Sequence, residues 1–171
     1  MYKYAIAVPA IPYLSFSVAN IIKSLLGLNK KGLVLDCDNT LWGGVIGDIG
    51  ADKIEIGQEN AIAETYTEFQ EYLKELSHLG LVLNVDSKND EDNAKSGFMR
   101  PDSVLKLEDF SVFKANWENK DQNFIEIAKT LNILPESLVF VDDNPAEREI
   151  IRQSLGENIA VPELKEPERY I

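Results

Sequence analysis

The sequence predicts an α/β protein built around a central parallel β-sheet, and three observations support that fold class. Short apolar runs alternate with helical segments from Gly32 onward, which is typical of parallel sheets with helical crossovers. The first run begins Leu33-Val34-Leu35 and is apolar on both faces, as expected of a buried parallel strand. Acidic and other polar residues follow several runs, at the strand ends where such sheets place their sites.

Each element follows from its local pattern, in chain order. Residues 1–30 predict an extension, with a proline-bearing extended piece and then a helix at 15–26 that Gly27 ends. Strands are predicted at Leu33–Cys37, Leu81–Asp86, Ser103–Lys106 and Leu138–Val141, with a short edge strand near Ile159. Helices are predicted at Ala61–Leu79, Glu91–Gly97, Asp121–Leu131 and Pro145–Leu155. The glycines and alternating apolar residues of Trp42–Gly57 predict a hairpin flap beside the end of the first strand.

Length and charge limit the classes of function. The 171 residues suffice for the extension and one domain, predicted at 31–171. A net charge of −12 argues against nucleic acid or an anionic membrane as the main partner. We expect no membrane span, since prolines at 9 and 12 break the most apolar stretch and Lys23 breaks the next. One cysteine excludes an internal disulfide, and a cytoplasmic location is the expectation.

Two carboxylates mark the end of the first strand. Side chains alternate along a strand, so Asp36 and Asp38 are predicted to share one face and Cys37 to take the other. Neighbouring carboxylates repel each other unless a cation holds them or one keeps a proton. Both outcomes suit phosphoryl chemistry, in which one carboxylate is nucleophile and metal ligand and the other is acid and base.

Further polar residues follow the other predicted strands. Ser87 comes after the second strand, Lys120 opens a helix, and Asp142-Asp143 follows the strand at 138–141. Because a parallel sheet brings these strand ends together, we expect the residues to meet in one cleft with the first acidic pair.

Taken together, these residues resemble the four motifs of the haloacid dehalogenase (HAD) superfamily of magnesium-dependent phosphotransferases. The match runs Asp36-x-Asp38-x-Thr40, Ser87, Lys120 and Asp142-Asp143, in the family's order. Longer segments resemble the FkbH-like branch, whose members are associated with glyceryl transfer from a phosphoglycerate donor to a carrier protein. These segments are Asp38–Gly47, Ser87–Asp90, Asn116-Trp117, Asp142–Glu149 and Val161–Leu164.

The resemblance implies a HAD-like Rossmannoid three-layer fold, with helices on both faces of the sheet, and a role for each motif residue. Asp36 would attack phosphorus to form an aspartyl-phosphate, and Asp38 would act as general acid and base. Mg²⁺ would be held by the Asp36 carboxylate, the backbone carbonyl of Asp38 and Asp143, with Asp142 as the second choice of ligand. Phosphate-binding roles fall to Thr40, Ser87 and Lys120.

Several of these residues also fit structural roles that involve no catalysis or binding. Thr40 equally fits a role in bonding the loop backbone. Asp142 to Pro145 fits a helix cap, Ser87 a loop hydroxyl and Lys120 a solvated surface lysine. Trp42 fits packing of the flap better than contact with substrate.

The sequence departs from the branch at one position. The residue before Ser87 is usually a cysteine, the plausible site of a glyceryl thioester, but here it is Asp86. Cys37 is predicted to face away from the acidic pair and so is a poor substitute. The sequence therefore favours a phosphatase. Glyceryl or acyl transfer to a carrier protein, or a non-catalytic interaction module, are the alternatives.

The spacing of the motifs excludes a large cap domain. The 51 residues from Asp36 to Ser87 hold the flap, a helix and a strand, and the 33 residues from Ser87 to Lys120 hold a short helix, a strand and a connector. An open site suits a bulky or carrier-bound phosphorylated substrate. FkbH-like segments often precede an acetyltransferase-like domain, so we expect this chain to be the N-terminal part of a longer protein.

Overall fold

A four-stranded parallel sheet forms the centre of the protein. The computed structural model describes residues 6–164 and residue 167. The strands are β1 (Gly32–Leu35), β2 (Val82–Ser87), β3 (Phe110–Ala115) and β4 (Leu138–Val141), in the order β3-β2-β1-β4. β1 pairs in parallel with both β2 and β4, so the strand that leads into the acidic pair lies in the interior of the sheet.

Helices cover both faces of this sheet, which gives the predicted three layers. The helices are α1 (Ile11–Leu25), α2 (Ile46–Ile49), α3 (Ala61–His78), α4 (Glu91–Phe98), α5 (Lys120–Thr130) and α6 (Pro145–Leu155). Phe69 of α3 and Phe98 of α4 pack with Leu33 and Leu35 on one face. Val34 points to the other face and packs with the cluster that includes residues of α5 and α6.

The sequence correctly placed three of the four strands, and the prediction of a strand at Ser103–Lys106 is wrong. That segment is a loop whose backbone bonds are made by a side chain instead of a neighbouring strand. The Gln70 Oε1 atom accepts from the backbone N–H groups of Val104 at 3.0 Å and Leu105 at 2.9 Å. β3 instead runs from Phe110 to Ala115, in a segment predicted as a connector.

The predicted flap is present, but its hairpin pairing is limited to one pair of residues, and the chain between them forms short helical turns. Gly43 and Glu55 pair in antiparallel fashion, with N–H to carbonyl distances of 3.0 and 2.9 Å. Helix α2 and a 3₁₀ turn at Ala51–Lys53 occupy the space between them. The edge strand predicted near Ile159 is likewise a single bridge, between Val139 and Ala160.

The N-terminal helix is not packed into the hydrophobic core. α1 begins four residues earlier than predicted, and none of its residues is buried. The helical stretch Val8–Leu25 is long and apolar enough to cross a membrane by length and composition, although its prolines and Lys23 led us to expect no span. A single helix of this kind near an N-terminus is weak evidence for a span. Residues 1–5 of the predicted extension, and residues 165–166 and 168–171 of the predicted domain, lie outside the described residues.

Candidate active site

The acidic pair lies where β1 ends, on the wall of a cavity of about 420 Å³. The backbone N–H of Asp36 donates to the carbonyl of Val141 at 2.9 Å, so the ladder with β4 continues to this residue. Asp36 and Asp38 both line the cavity, as strand alternation predicted, whereas Cys37 between them is buried and does not line it.

Lys120 connects the acidic pair to the acids that follow β4. It is the first residue of α5 and only 3% of it is exposed. Its Nζ atom lies 2.9 Å from Asp36 Oδ1 and 2.6 Å from Asp142 Oδ2. Burial by itself would lower the pKa of Lys120, but the charges of Asp36 and Asp142 raise that pKa above its ordinary value. The ammonium group therefore stays charged, inside the cluster where negative charge collects.

Three carboxylates come close enough together to hold a metal ion. One oxygen from each of Asp36, Asp142 and Asp143 lies within 4.8 Å of the other two. Burial, and then repulsion by Asp36, raises the pKa of both Asp142 and Asp143. Clustered carboxylates of this kind are the oxygen ligands that hard divalent cations prefer.

The loop that carries Asp142 and Asp143 is held in place by several hydrogen bonds. Arg148 Nη1 donates to the backbone carbonyls of Asp142 at 2.7 Å and Asp143 at 2.6 Å. The Asn144 backbone N–H donates to Asp142 Oδ1 at 2.8 Å. Because Asp142 Oδ2 is occupied by Lys120, Asp143 is the better placed of the two acids to bind a metal.

Thr40 is completely buried and serves this same loop. Its Oγ1 atom accepts from the backbone N–H of Asp143 at 3.1 Å, and it does not line the cavity. Of its two predicted roles, the geometry favours bonding to the loop backbone over contact with a phosphate. Ser87, in contrast, lines the cavity at the end of β2 with 1% of its surface exposed.

The flap and the β2 loop hold the carboxylate of Asp38 on both of its oxygens. Oδ1 accepts from Trp42 Nε1 at 2.9 Å and from the backbone N–H of Ile46 at 3.0 Å. Oδ2 accepts from Asn89 Nδ2 at 3.0 Å. Burial raises the pKa of Asp38, and the bonds from Ile46 and Trp42 partly counter that rise.

Sequence reasoning missed the roles of three of these residues. It favoured packing of the flap over substrate contact for Trp42, and gave no role to Asn89 or Arg148. Asn89 does fall within the Ser-Lys-Asn-Asp segment, so the motif contained a signal that could have singled it out. A second missed feature lies at the cavity wall, where Lys88 Nζ is 2.6 Å from Glu147 Oε1.

Neither candidate for carrying an acyl group faces the cavity. Asp86 has no exposed surface, and its Oδ1 atom accepts from Asn123 Nδ2 at 3.0 Å inside the protein. Burial raises the pKa of Asp86 to about 8. Burial, and then the charge of Asp36, also raises the pKa of the Cys37 thiol well above its usual value. A buried thiol with a raised pKa is a poor nucleophile.

Comparison with solved structures identifies the fold. The N-terminal part of the protein BF1531 from Bacteroides fragilis, which contains a phosphatase domain and was crystallised with Mg, is 46% identical to this chain with a TM-score of 0.88. The chain has the HAD-like Rossmannoid fold. The match covers 99% of this chain but 45% of that one, so the chain spans less than half the length of this relative.

More distant structures share the same fold. A HAD family enzyme from Bacteroides thetaiotaomicron, in complex with magnesium and inorganic phosphate, has a TM-score of 0.51 and 16% identity, over 80% of this chain and 95% of its own. A protein from Porphyromonas gingivalis, described as a predicted HAD-like family hydrolase, has a TM-score of 0.50 and 15% identity over 83% and 94%. No protein-family model and no curated protein matches the chain.

Proposed function

We propose that this chain is a Mg²⁺-dependent phosphatase domain that acts on a phosphomonoester through Asp36. One observation carries the proposal: the carboxylate oxygens of Asp36, Asp142 and Asp143 lie within 4.8 Å of one another, and Lys120 bridges two of these acids in the same cavity. The relatives crystallised with Mg, including the phosphatase domain at 46% identity, support the same activity.

The donor set fits Mg²⁺. Asp36 keeps one oxygen beyond the contact with Lys120, and Asp143 adds a second carboxylate from the loop that Thr40 and Arg148 hold. Both oxygens of Asp142 accept protein hydrogen bonds, so we propose that Asp142 supports the metal ligands without binding the ion directly. When bound, Mg²⁺ would offset the charge of the phosphoryl oxygens and lower the repulsion between the acids.

The protein residues can carry out the reaction in two steps. In the first, an Asp36 oxygen attacks phosphorus, the bond from phosphorus to the ester oxygen breaks, and Asp38 gives its proton to the departing alcohol. In the second, water attacks the aspartyl-phosphate, Asp38 accepts the proton from water, and inorganic phosphate leaves. Ser87 is placed to donate a hydrogen bond to a phosphoryl oxygen, and Lys120 offsets its charge throughout.

The buried position of Asp86 favours hydrolysis over acyl transfer. An acyl carrier on this chain would need a nucleophile that reaches the substrate, and both Asp86 and Cys37 are sealed inside the protein. We therefore extend the proposal to an FkbH-like phosphatase that has lost the transfer step. The small flap leaves the cavity open, which supports a bulky or carrier-bound phosphomonoester, delivered in a longer protein by a further domain.

Phosphate release from a panel of phosphomonoesters tests this proposal. We expect release by the wild type with Mg²⁺, and none with a chelator or in Asp36→Asn, whose amide lacks the attacking anion. Asp92→Asn, an exposed aspartate on α4, is the matched control and should retain full activity. Release that persists in Asp36→Asn would contradict the assigned nucleophile. Mg²⁺ binding without cleavage of any ester would favour covalent transfer onto a carrier protein instead.

A further inference from the structure

An exposed tryptophan stands at the entrance of the active-site cavity. Trp117 lines the same cavity as Asp36, yet 71% of its surface is exposed. It is the single aromatic side chain among the described residues that line this cavity. Its indole N–H donates to Asp90 Oδ1 at 3.0 Å, which orients the ring. A large apolar ring is held at the entrance without being used to pack the core.

The loop beneath Trp117 is firmly attached to the catalytic strands. The backbone N–H of Asn116 donates to the carbonyl of Ser87 at 3.1 Å, so the loop begins at the phosphate-binding end of β2. The Asn116 and Asn123 side chains exchange hydrogen bonds at 2.9 and 3.3 Å. The Glu118 backbone N–H donates to Asn116 Oδ1 at 3.0 Å. The ring is therefore preorganised in relation to the phosphoryl position, which lowers the entropy lost on binding.

The charges around the cavity favour an uncharged group beside the phosphate. The described lining residues include two lysines, and both already have carboxylate partners: Lys120 with Asp36 and Asp142, and Lys88 with Glu147. The remaining charges of the lining are acidic. A second anionic group on the substrate would thus find no unpaired cation among these residues, and would meet carboxylates instead.

We propose that the phosphomonoester carries an uncharged ring next to its phosphate, and that this ring packs on the face of Trp117. This inference rests on the proposed phosphatase function and specifies its substrate class. Val45, on the flap side of the cavity, is 41% exposed and adds an apolar contact for the same ring. Sugar and aromatic rings both present carbon-hydrogen or π faces that stack on an indole. The open side of the cavity leaves room for further substituents on the ring.

Three primary phosphate esters test the ring preference at matched leaving-group chemistry. Glucose 6-phosphate carries an uncharged ring, glycerol 1-phosphate is uncharged and acyclic, and 3-phosphoglycerate is acyclic and anionic. We expect kcat/KM to be highest for the ring ester, and Trp117→Ala to lower it about tenfold for that ester alone. Trp117→Phe keeps an aromatic face but loses the bond to Asp90. Its kcat/KM for glucose 6-phosphate should therefore lie between those of the wild type and Trp117→Ala. Equal effects of Trp117→Ala on all three esters would overturn the inference.

A binding measurement separates failure of the inference from failure of the phosphatase proposal. Asp36→Asn with Mg²⁺ cannot turn over the ester, and of its two tryptophans Trp42 is buried and Trp117 exposed. We expect glucose 6-phosphate, but not glycerol 1-phosphate, to protect the exposed indole from iodide quenching in a saturable manner. Protection without hydrolysis by the wild type would overturn the phosphatase and keep the ring subsite. Hydrolysis of the esters by the wild type without protection of the indole would overturn the ring subsite and keep the phosphatase.

Discussion

The buried carboxyl group of Asp86 should make the stability of this protein fall as pH rises. The residue has no exposed surface, its Oδ2 atom has no hydrogen-bond partner, and burial raises its pKa to about 8. In the unfolded chain the pKa of an aspartate is about 4. The folded protein therefore keeps a proton that the unfolded chain releases between these two values, so that folding becomes less favourable as pH increases.

The size of the effect follows from the difference between the two pKa values. Stability should decrease by about 1.4 kcal/mol for each pH unit between about 4 and 8, which amounts to about 4 kcal/mol by pH 7. Asp86→Asn replaces the carboxyl group with an uncharged amide of the same shape, which can still accept from Asn123. The variant should match the wild type near pH 4 and exceed its stability by a growing margin as pH rises.

Urea unfolding of both proteins at several pH values between 4.5 and 8 measures this difference. Subtracting one free energy of unfolding from the other removes the titration of Asp38, Asp142 and Asp143, which both proteins share. The difference in free energy of unfolding at the lowest pH gives the effect of the amide itself and is the internal control. Two stability curves that run parallel over this range would refute the reasoning, since Asp86 would then titrate alike in the folded and unfolded states.

Three other substitutions test the site. Lys120→Met removes the partner of two buried acids, and should lower the free energy of unfolding by about 3 kcal/mol in urea titrations at pH 7. It should also abolish phosphate release. Unchanged stability would contradict the observed pairing. Trp42→Phe removes one of the donors to Asp38, and should lower kcat about tenfold with little change in KM; a change in KM alone would show that the indole does not position the acid. Thr40→Val removes the acceptor for the Asp143 backbone N–H, and should weaken Mg²⁺ binding, measured by calorimetry, about tenfold. An unchanged affinity would mean that other bonds suffice to hold the loop.

The parts of the fold that the sequence predicted are those set by local pattern. β1 and β4 are continuous apolar runs, and once they were recognised, parallel geometry placed the residues that follow them at one edge of the sheet. β3 escaped detection because it is an edge strand with one exposed and several half-buried residues. The segment at 103–106 looked like a strand because nothing local shows that Gln70, far earlier in the chain, bonds its backbone.

The missed details of the site are long-range contacts. Asn89 reaches Asp38 across 51 residues, and Thr40 meets the backbone of Asp143 across 103. Residue type and spacing identify which groups are present, but partners so distant in sequence depend on the packing of the whole domain. For the same reason the sequence left two roles open for Thr40, phosphate binding and bonding of the loop backbone, and the fold directs its hydroxyl to a neighbouring loop.

The bonds from the flap to Asp38 restrict how this active site could change during evolution. Trp42 and the Ile46 backbone belong to the segment that would have to be lengthened to build a larger lid over the cavity. An insertion there would displace two of the donors that fix the carboxylate of Asp38. New substrate specificity is therefore more accessible in the loop after β3, because none of the three groups described above as donors to Asp38 belongs to that loop.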